Sequence, residues 1–460
     1  MSFDRERRRY VKAAGIGLAA ALAGCSSGGK QPNNAGSTQT TSGQSGGSST
    51  SKSASSGSPT KVVYWSQVIT PKVVKPWNKW YKQQAKKQAN LNVELDGFEY
   101  SNLRKKYLTG GRTGTPDMVE GVLSQLGEYQ SAGLMQPLDS YVKNKKNFDA
   151  YYQNTLDALT FKNKLYALPV DANGRGLLYR KDILDKYGFD VPQTANDLHD
   201  IAQTITKNED NMTGFQNCTK DGGPRTFQEW ISHVYQQADA LYAHKNGSWT
   251  LVPSADKLGQ IFDNWYAKIW AGKKPIADTS KLGTGWQVLD PGYAKGHFAM
   301  CPNGPWVRSA NQHSSKKAPE ILNKHTGVTD IPRGKGGKKS SYLEVEWTGI
   351  NAHSKKKDAA WKATDIYTST PSYKQFAKAD PGNWLTPVSK DVNSTIQNDS
   401  WKPFKGIFQR ATGMAFVNWG STKRAVFKSI QRVAYGKSDP YKEGKSLHTK
   451  LKSIASGFNS

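Results

Sequence analysis

From residue 61 onward, apolar and polar positions follow two rhythms that replace each other repeatedly along the chain. Lys61-Val62-Val63-Tyr64-Trp65-Ser66 is a short apolar run ending in an aromatic and a hydroxyl, which predicts a strand. Val73, Trp77, Trp80, Tyr81 and Ala85 then recur at helical spacing, with Lys79, Lys82, Lys86 and Lys87 off that stripe and Pro76 suited to a first turn. Leu91 to Leu95 alternates as a second strand, and Leu103 to Leu108 opens a helical segment that Gly110-Gly111 ends. Pro116-Asp117 turns into a short apolar strand at Met118, and Phe161 to Pro169 reads as a hairpin with its turn near Asn163. Strands alternating with helices predict an α/β fold.

The first sixty residues have a different pattern. Arg7-Arg8-Arg9-Tyr10-Val11-Lys12 leads into an apolar run, Ala13 to Gly24, that stops at Cys25. A cationic start, an apolar run of about a dozen residues and small residues before a processing point make an export signal, and the run is shorter than the roughly twenty residues that span a bilayer. Arg7 and Arg8 with the residues after them resemble a twin-arginine export signal. Leu22-Ala23-Gly24-Cys25 resembles a lipobox, which implies cleavage before Cys25 and lipidation of its thiol. Ser26 to Thr60 is almost entirely Ser, Gly, Thr, Asn, Gln and Ala, so it cannot bury a core and should act as a flexible tether, with a root-mean-square reach of about 30 to 35 Å. The expected organisation is a signal at 1–25, a tether at 26–60 and a folded body at 61–460, held outside the cytoplasmic membrane at the cell surface.

The formal net charge is +27; the signal carries +3 and the tether +2, which leaves +22 on the body. These cations are scattered in small groups such as Lys316-Lys317 and Lys355-Lys357. Such groups read as solvated faces, so no nucleic-acid partner is expected, and the body should be a monomer. Cys218 and Cys301 could form one disulfide or remain two buried thiols. Catalytic signatures are thin: there is no His-Glu-x-x-His, Gly-x-Ser-x-Gly, phosphate-cradling glycine loop or paired-cysteine spacing, and no cofactor or metal is expected. Asp171 and Glu344 can be nominated as a carboxylate pair, but nothing selects them.

Several weak motifs fall in a telling order. Pro116-Asp117 precedes a strand, Gly133 to Asp139 has the form Gly-Leu-x-x-Pro-Leu-Asp, and Tyr166-Ala167-Leu168-Pro169 is followed by Leu178-Tyr179-Arg180-Lys181-Asp182. Then come Ala299-Met300-Cys301-Pro302-Asn303-Gly304-Pro305-Trp306 and Trp347-Thr348-Gly349-Ile350-Asn351-Ala352. In this order they resemble the extracellular solute-binding proteins of ABC importers, in the maltose-binding-protein-like group, over nearly all of 61–460. The resemblance implies a periplasmic-binding-protein-like α/β fold. Two lobes would be joined by hinge crossovers, with a ligand cleft between them and closure that a membrane permease reads. It places one lobe at about 61–172 plus 303–346 and the other at about 173–302 plus 347–460.

Carried onto this chain, the resemblance implies a cleft reached by Trp65 and Ser66, by Glu120 and Gln125, by Asp171, Asn173 and Arg175 at the crossover, and by Trp306. Trp306 would be the principal sugar-stacking ring, and Trp419 lies in a segment resembling another. Trp230, Trp286, Trp347 and Trp384 are further candidates by chain position, with core packing as the competing role for each. Fourteen Trp, twenty-one Tyr and fifteen Phe favour a carbohydrate, whose CH faces stack on rings while its hydroxyls seek acids and amides. An anionic solute held by Arg175 and Arg308, or an extracellular glycan-acting enzyme, are the competing readings. Asp171 could instead cap a turn, and Arg175 could serve as an ion pair between lobes.

Overall fold

The computed structural model describes residues 57–308, 317–379, 388–392 and 399–458. Arg7, Arg8, Cys25 and Trp384 lie outside the described residues. No helix among the described residues is long and apolar enough to cross a membrane.

The early rhythm folds as read. Thr60–Ser66 (β1) and Leu91–Gly97 (β2) pair in parallel around the helix Lys75–Ala89, which has Pro76 in its first turn and buries Trp77, Tyr81 and Ala85. The hairpin turns at Lys162 and Asn163, both at positive φ, 48° and 57°, a pairing that suits the twist of the flanking strands. Met118–Val122 (β3), Leu168–Asn173 (β4), Gly176–Arg180 (β5), Thr213–Phe215 (β6), Phe298–Asn303 (β7), Thr326–Asp330 (β8) and Glu344–Ile350 (β9) complete two separate sheets. One has the order β2-β1-β3-β9-β4 and the other β8-β5-β7-β6.

Strand pairing corrects the lobe boundaries expected from sequence. β8 pairs antiparallel with β5, so residues up to Asp330 belong to the second sheet rather than to the first lobe from 303 onward. β9 lies between β3 and β4 in the first sheet, and helices Lys357–Tyr367 and Thr370–Ala379 pack on Lys75–Ala89. The stretch 347–379 therefore belongs to the first lobe, not the second. The partners that decide this are far apart in sequence, where local periodicity carries no information. The chain crosses between sheets at Gly174-Arg175, at 331–343 and again beyond residue 379, where Pro403–Arg410 packs on both β8 and β4. A Cβ at Gly174 would sit 2.8 Å from the Ile407 side chain, so this crossover needs a residue without one.

The aromatic residues mainly fill the lobes. In the first, Tyr64, Trp77, Tyr81 and Tyr367 pack ring on ring, and the Trp77 indole donates to Ser372 Oγ at 2.9 Å. In the second, Trp265 stacks on His233 at 4.0 Å, and burial pushes that imidazole down to about 3, so it is neutral. Cys218 and Cys301 are both buried free thiols.

Candidate functional site

A cavity of about 320 Å³ opens where the crossovers meet, and both lobes line it. From the first lobe come Gln67 and Val68 just past β1, Phe98 and Glu99 just past β2, and Glu344 and Glu346 on β9. From the second come Arg225 and Gln228 at the start of helix Pro224–Gln237, Trp286 at the start of helix Trp286–Ala294, and Trp306 just past β7. Asn173 and Arg175 lie at the crossover itself.

A continuous polar network joins the two walls. The Arg175 guanidinium donates to Asn173 Oδ1 and to Gln228 Oε1, the latter at 2.7 Å, and Gln228 Nε2 donates to Glu344 Oε2 at 2.6 Å. Glu344 also accepts from the Tyr342 hydroxyl at 2.9 Å and the Leu123 N–H at 3.3 Å. Arg175 thus bridges the lobes, which is the interlobe role weighed for it, and burial pushes it down to about 10. Burial pushes Glu346 up to about 8, with the neighbouring Glu344 charge adding to the effect. Asp171 and Glu120 are held well above the usual carboxylate range by burial, and Glu346 adds to each.

A second network fixes Trp306. Its indole N–H donates to Asp290 Oδ2 at 3.0 Å; Arg225 donates to Asp290 at 3.3 Å and to Asn303 at 3.1 Å, and Asn303 returns a bond to Asp290 at 3.0 Å. The guanidinium carbons of Arg175 and Arg225 each lie 4.5 Å from the indole centre, within cation–π range. A Cβ at Gly304 would fall 1.6 Å from the indole, so Asn-Gly-Pro-Trp needs its glycine for the ring to lie down. Trp306 therefore lines the cavity but already engages two cations, whereas Trp286, 38% exposed, offers an open ring.

The other sequence candidates divide clearly. Asn173, Arg175, Trp286 and Trp306 line the cavity. Ser66 and Glu120 lie fully buried beneath it: the Ser66 hydroxyl donates to Glu120, which also accepts from the Val68 N–H at 3.4 Å. Asp171 is likewise buried and accepts from Asn173 at 3.2 Å, a bond that steadies Asn173 for Arg175. Trp65 is not among the lining residues, since its indole donates to Asp96 at 3.1 Å and packs on Phe98. Gln125 accepts the Val122 N–H at 3.2 Å and so secures the start of helix Leu123–Ser131. Trp230, Trp347 and Trp419 are core residues: Trp230 packs on Phe227, Trp347 on Tyr129, and Trp419 on Phe227 and Tyr242. Arg308 lies over Trp401 and away from the cavity.

Sequence reasoning missed Gln67, Glu346, Arg225 and Gln228. Gln67 directly follows two nominated residues, and Glu346 is two positions from Glu344, so strand alternation would have put both acids on one face. Arg225 and Gln228 had no local signal, because only the approach of the lobes makes them site residues.

Comparison with known proteins agrees with this architecture. The chain is 24% identical over 292 residues to the maltotriose-binding protein of Pyrococcus abyssi, covering 62% of this chain and 57% of that one. It is 29% identical over 323 residues to a probable ABC transporter-binding protein of Deinococcus radiodurans, covering 67% and 73%. Among solved structures, a solute-binding protein of Thermotoga lettingae bound to α-D-tagatose matches with a TM-score of 0.73 at 19% identity, over 86% of this chain and all of that one. The Thermus thermophilus maltotriose-binding protein, bound with maltotriose, matches with a TM-score of 0.66 at 19% identity over 85% and 99%. Residues 70–372 match the family model described as bacterial extracellular solute-binding protein, and the chain belongs to that family.

Proposed function

We propose that this protein is an extracytoplasmic receptor that captures a saccharide between its lobes and delivers it to the permease of an ABC importer, tethered to the membrane through a lipid on Cys25. The carrying observation is the cavity at the crossovers. The open Trp286 ring faces it from one lobe, while Gln67, Glu346 and Asn173 supply an acid and amides for hydroxyls. Such a site binds from both walls at once, so ligand favours the approach of the lobes. Relatives and structural neighbours that bind maltotriose and tagatose are in keeping with this reading.

The anionic alternative loses support from the placement of the arginines. Arg225 is taken by Asp290 and Asn303, Arg175 by Asn173, Gln228 and Glu344, and Arg308 does not line the cavity. An enzymatic pair of Asp171 and Glu344 is also poorly served: Asp171 does not line the cavity, and both Glu344 oxygens are already hydrogen-bonded. A thermal-shift screen of the purified protein against neutral, amino and uronic saccharides tests the reading. At least one saccharide should raise the unfolding midpoint in a concentration-dependent way, and a panel that leaves it unmoved would refute the proposal.

A further inference from the structure

Around Glu346 the acids outnumber the cations. Its own strand contributes Glu344, β3 contributes Glu120, β4 contributes Asp171, and the cavity rim adds Glu99. The facing cations are few and shared: Arg175 is held by Asn173, Gln228 and Glu344 and its charge also acts on Glu346, Arg225 is paired with Asp290, and Lys423 donates to Ser124 at 2.8 Å while also facing Glu344. Among the described residues no lysine or arginine forms an ion pair with Glu120, Asp171 or Glu346. Glu120 Oε1 is buried without a hydrogen-bond partner, and Glu346 Oε1 holds only a long bond, 3.4 Å, from Gln67. Of these three acids Glu346 alone lines the cavity. The +22 body thus carries, at its ligand cleft, more acid than the two lining arginines compensate.

Buried carboxylates without counter-ions are costly unless protonated or met by a cation. Resting on the carbohydrate reading above, we propose that the ligand of this cleft is a saccharide carrying a basic nitrogen, whose ammonium seats on Glu346 and supplies the charge that the surrounding acids lack. Hydroxyls elsewhere on the sugar fall to Gln67, Asn173 and Gln228, and the Trp286 ring receives its apolar face. The competing arrangement is a neutral sugar that accepts a hydrogen bond from protonated Glu346. The two differ in sign. Free Glu346 sits up at about 8 through burial. An ammonium must therefore displace its proton and binds more tightly as pH rises toward that value, by up to about tenfold per unit for one proton released. A neutral sugar held by the protonated acid binds more weakly over the same range.

The test is calorimetric titration of the wild-type protein with two matched pairs, glucosamine against glucose and chitosan disaccharide against cellobiose, at pH 6, 7 and 7.5. The amino member of at least one pair should bind tenfold or more tightly than its neutral partner and gain several-fold between pH 6 and 7. In Glu346→Gln that preference should fall to within threefold, and the wild-type pH profile gives an independent readout should the variant fold poorly. Neutral sugars binding as tightly as their amino partners, or amino-sugar affinity falling with pH, would overturn the amine inference and leave the carbohydrate reading standing. Binding of spermidine with no response to any saccharide would overturn both.

Discussion

The two walls of the cleft solve opposite problems. On the second-lobe wall, Arg225, Asp290, Asn303 and Trp306 satisfy one another with bonds of 3.0 to 3.3 Å. On the first-lobe wall, Glu346 lines the cleft with Glu120 and Asp171 buried behind it, none of the three in an ion pair among the described residues, and burial raises all three. One wall is preorganised and finished; the other stores unfavourable charge that protons or a ligand can relieve. Stability should therefore depend on keeping charges in the first case and on losing them in the second.

The largest difference should come from removing one charge on each side. Arg225→Ala leaves Asp290, which is fully buried, without its cation and should cost about 3–5 kcal/mol of unfolding free energy, as breaking a buried pair does. Glu346→Gln should cost little or nothing at neutral pH, because the amide replaces a carboxyl that is already protonated there, and should add stability only as pH rises past about 8. Urea unfolding of both variants measures this contrast, and equal losses would mean that the acidic wall is as well balanced as the other.

Titration gives a smaller effect with a definite sign. Glu346 in the folded protein stays protonated up to about 8, while in the unfolded chain it ionises near 4.5, so across that interval the folded state holds more protons. Stability from this group is then lost as pH rises, and Asp171, Glu120 and Glu344 are shifted in the same direction. His233, pushed down to about 3, opposes this only below its ordinary value of 6.5. Between pH 6.5 and 8 the ligand-free midpoint should fall by about 2 °C or more, and Glu346→Gln should flatten the slope. The smallest effect belongs to Trp65→Phe: its ring binds Asp96 outside the cavity, so ligand affinity should change by less than about twofold in a calorimetric titration.

How much of this was legible in the sequence depended on the range of the forces involved. The strand of Thr60–Ser66, the helix of Lys75–Ala89 and the hairpin at Asn163 follow from local periodicity and turn chemistry, and they appeared where expected. Ordered motifs also brought Asn173, Arg175 and Trp306 to the cleft, because strand ends at a crossover are fixed by the fold. The abundance of aromatic rings did not single out the site, and core packing, the competing role weighed for each Trp, holds for three of them. Trp230, Trp347 and Trp419 fill cores, since large apolar area is the main driving force for packing each lobe. The lobe assignment of 303–379 and the roles of Arg225 and Gln228 depend on contacts between distant segments, which no local pattern encodes.

The cleft as a saccharide site is tested most directly by calorimetric titration of the saccharide that most stabilises the wild-type protein, repeated with Trp286→Ala. That ring is open and 38% exposed, so its loss should leave the fold intact while removing the stacking face. One-to-one binding to the wild type, weakened about tenfold or more in the variant, is the predicted result. Unchanged affinity in Trp286→Ala, or binding at more than one equivalent site, would contradict it.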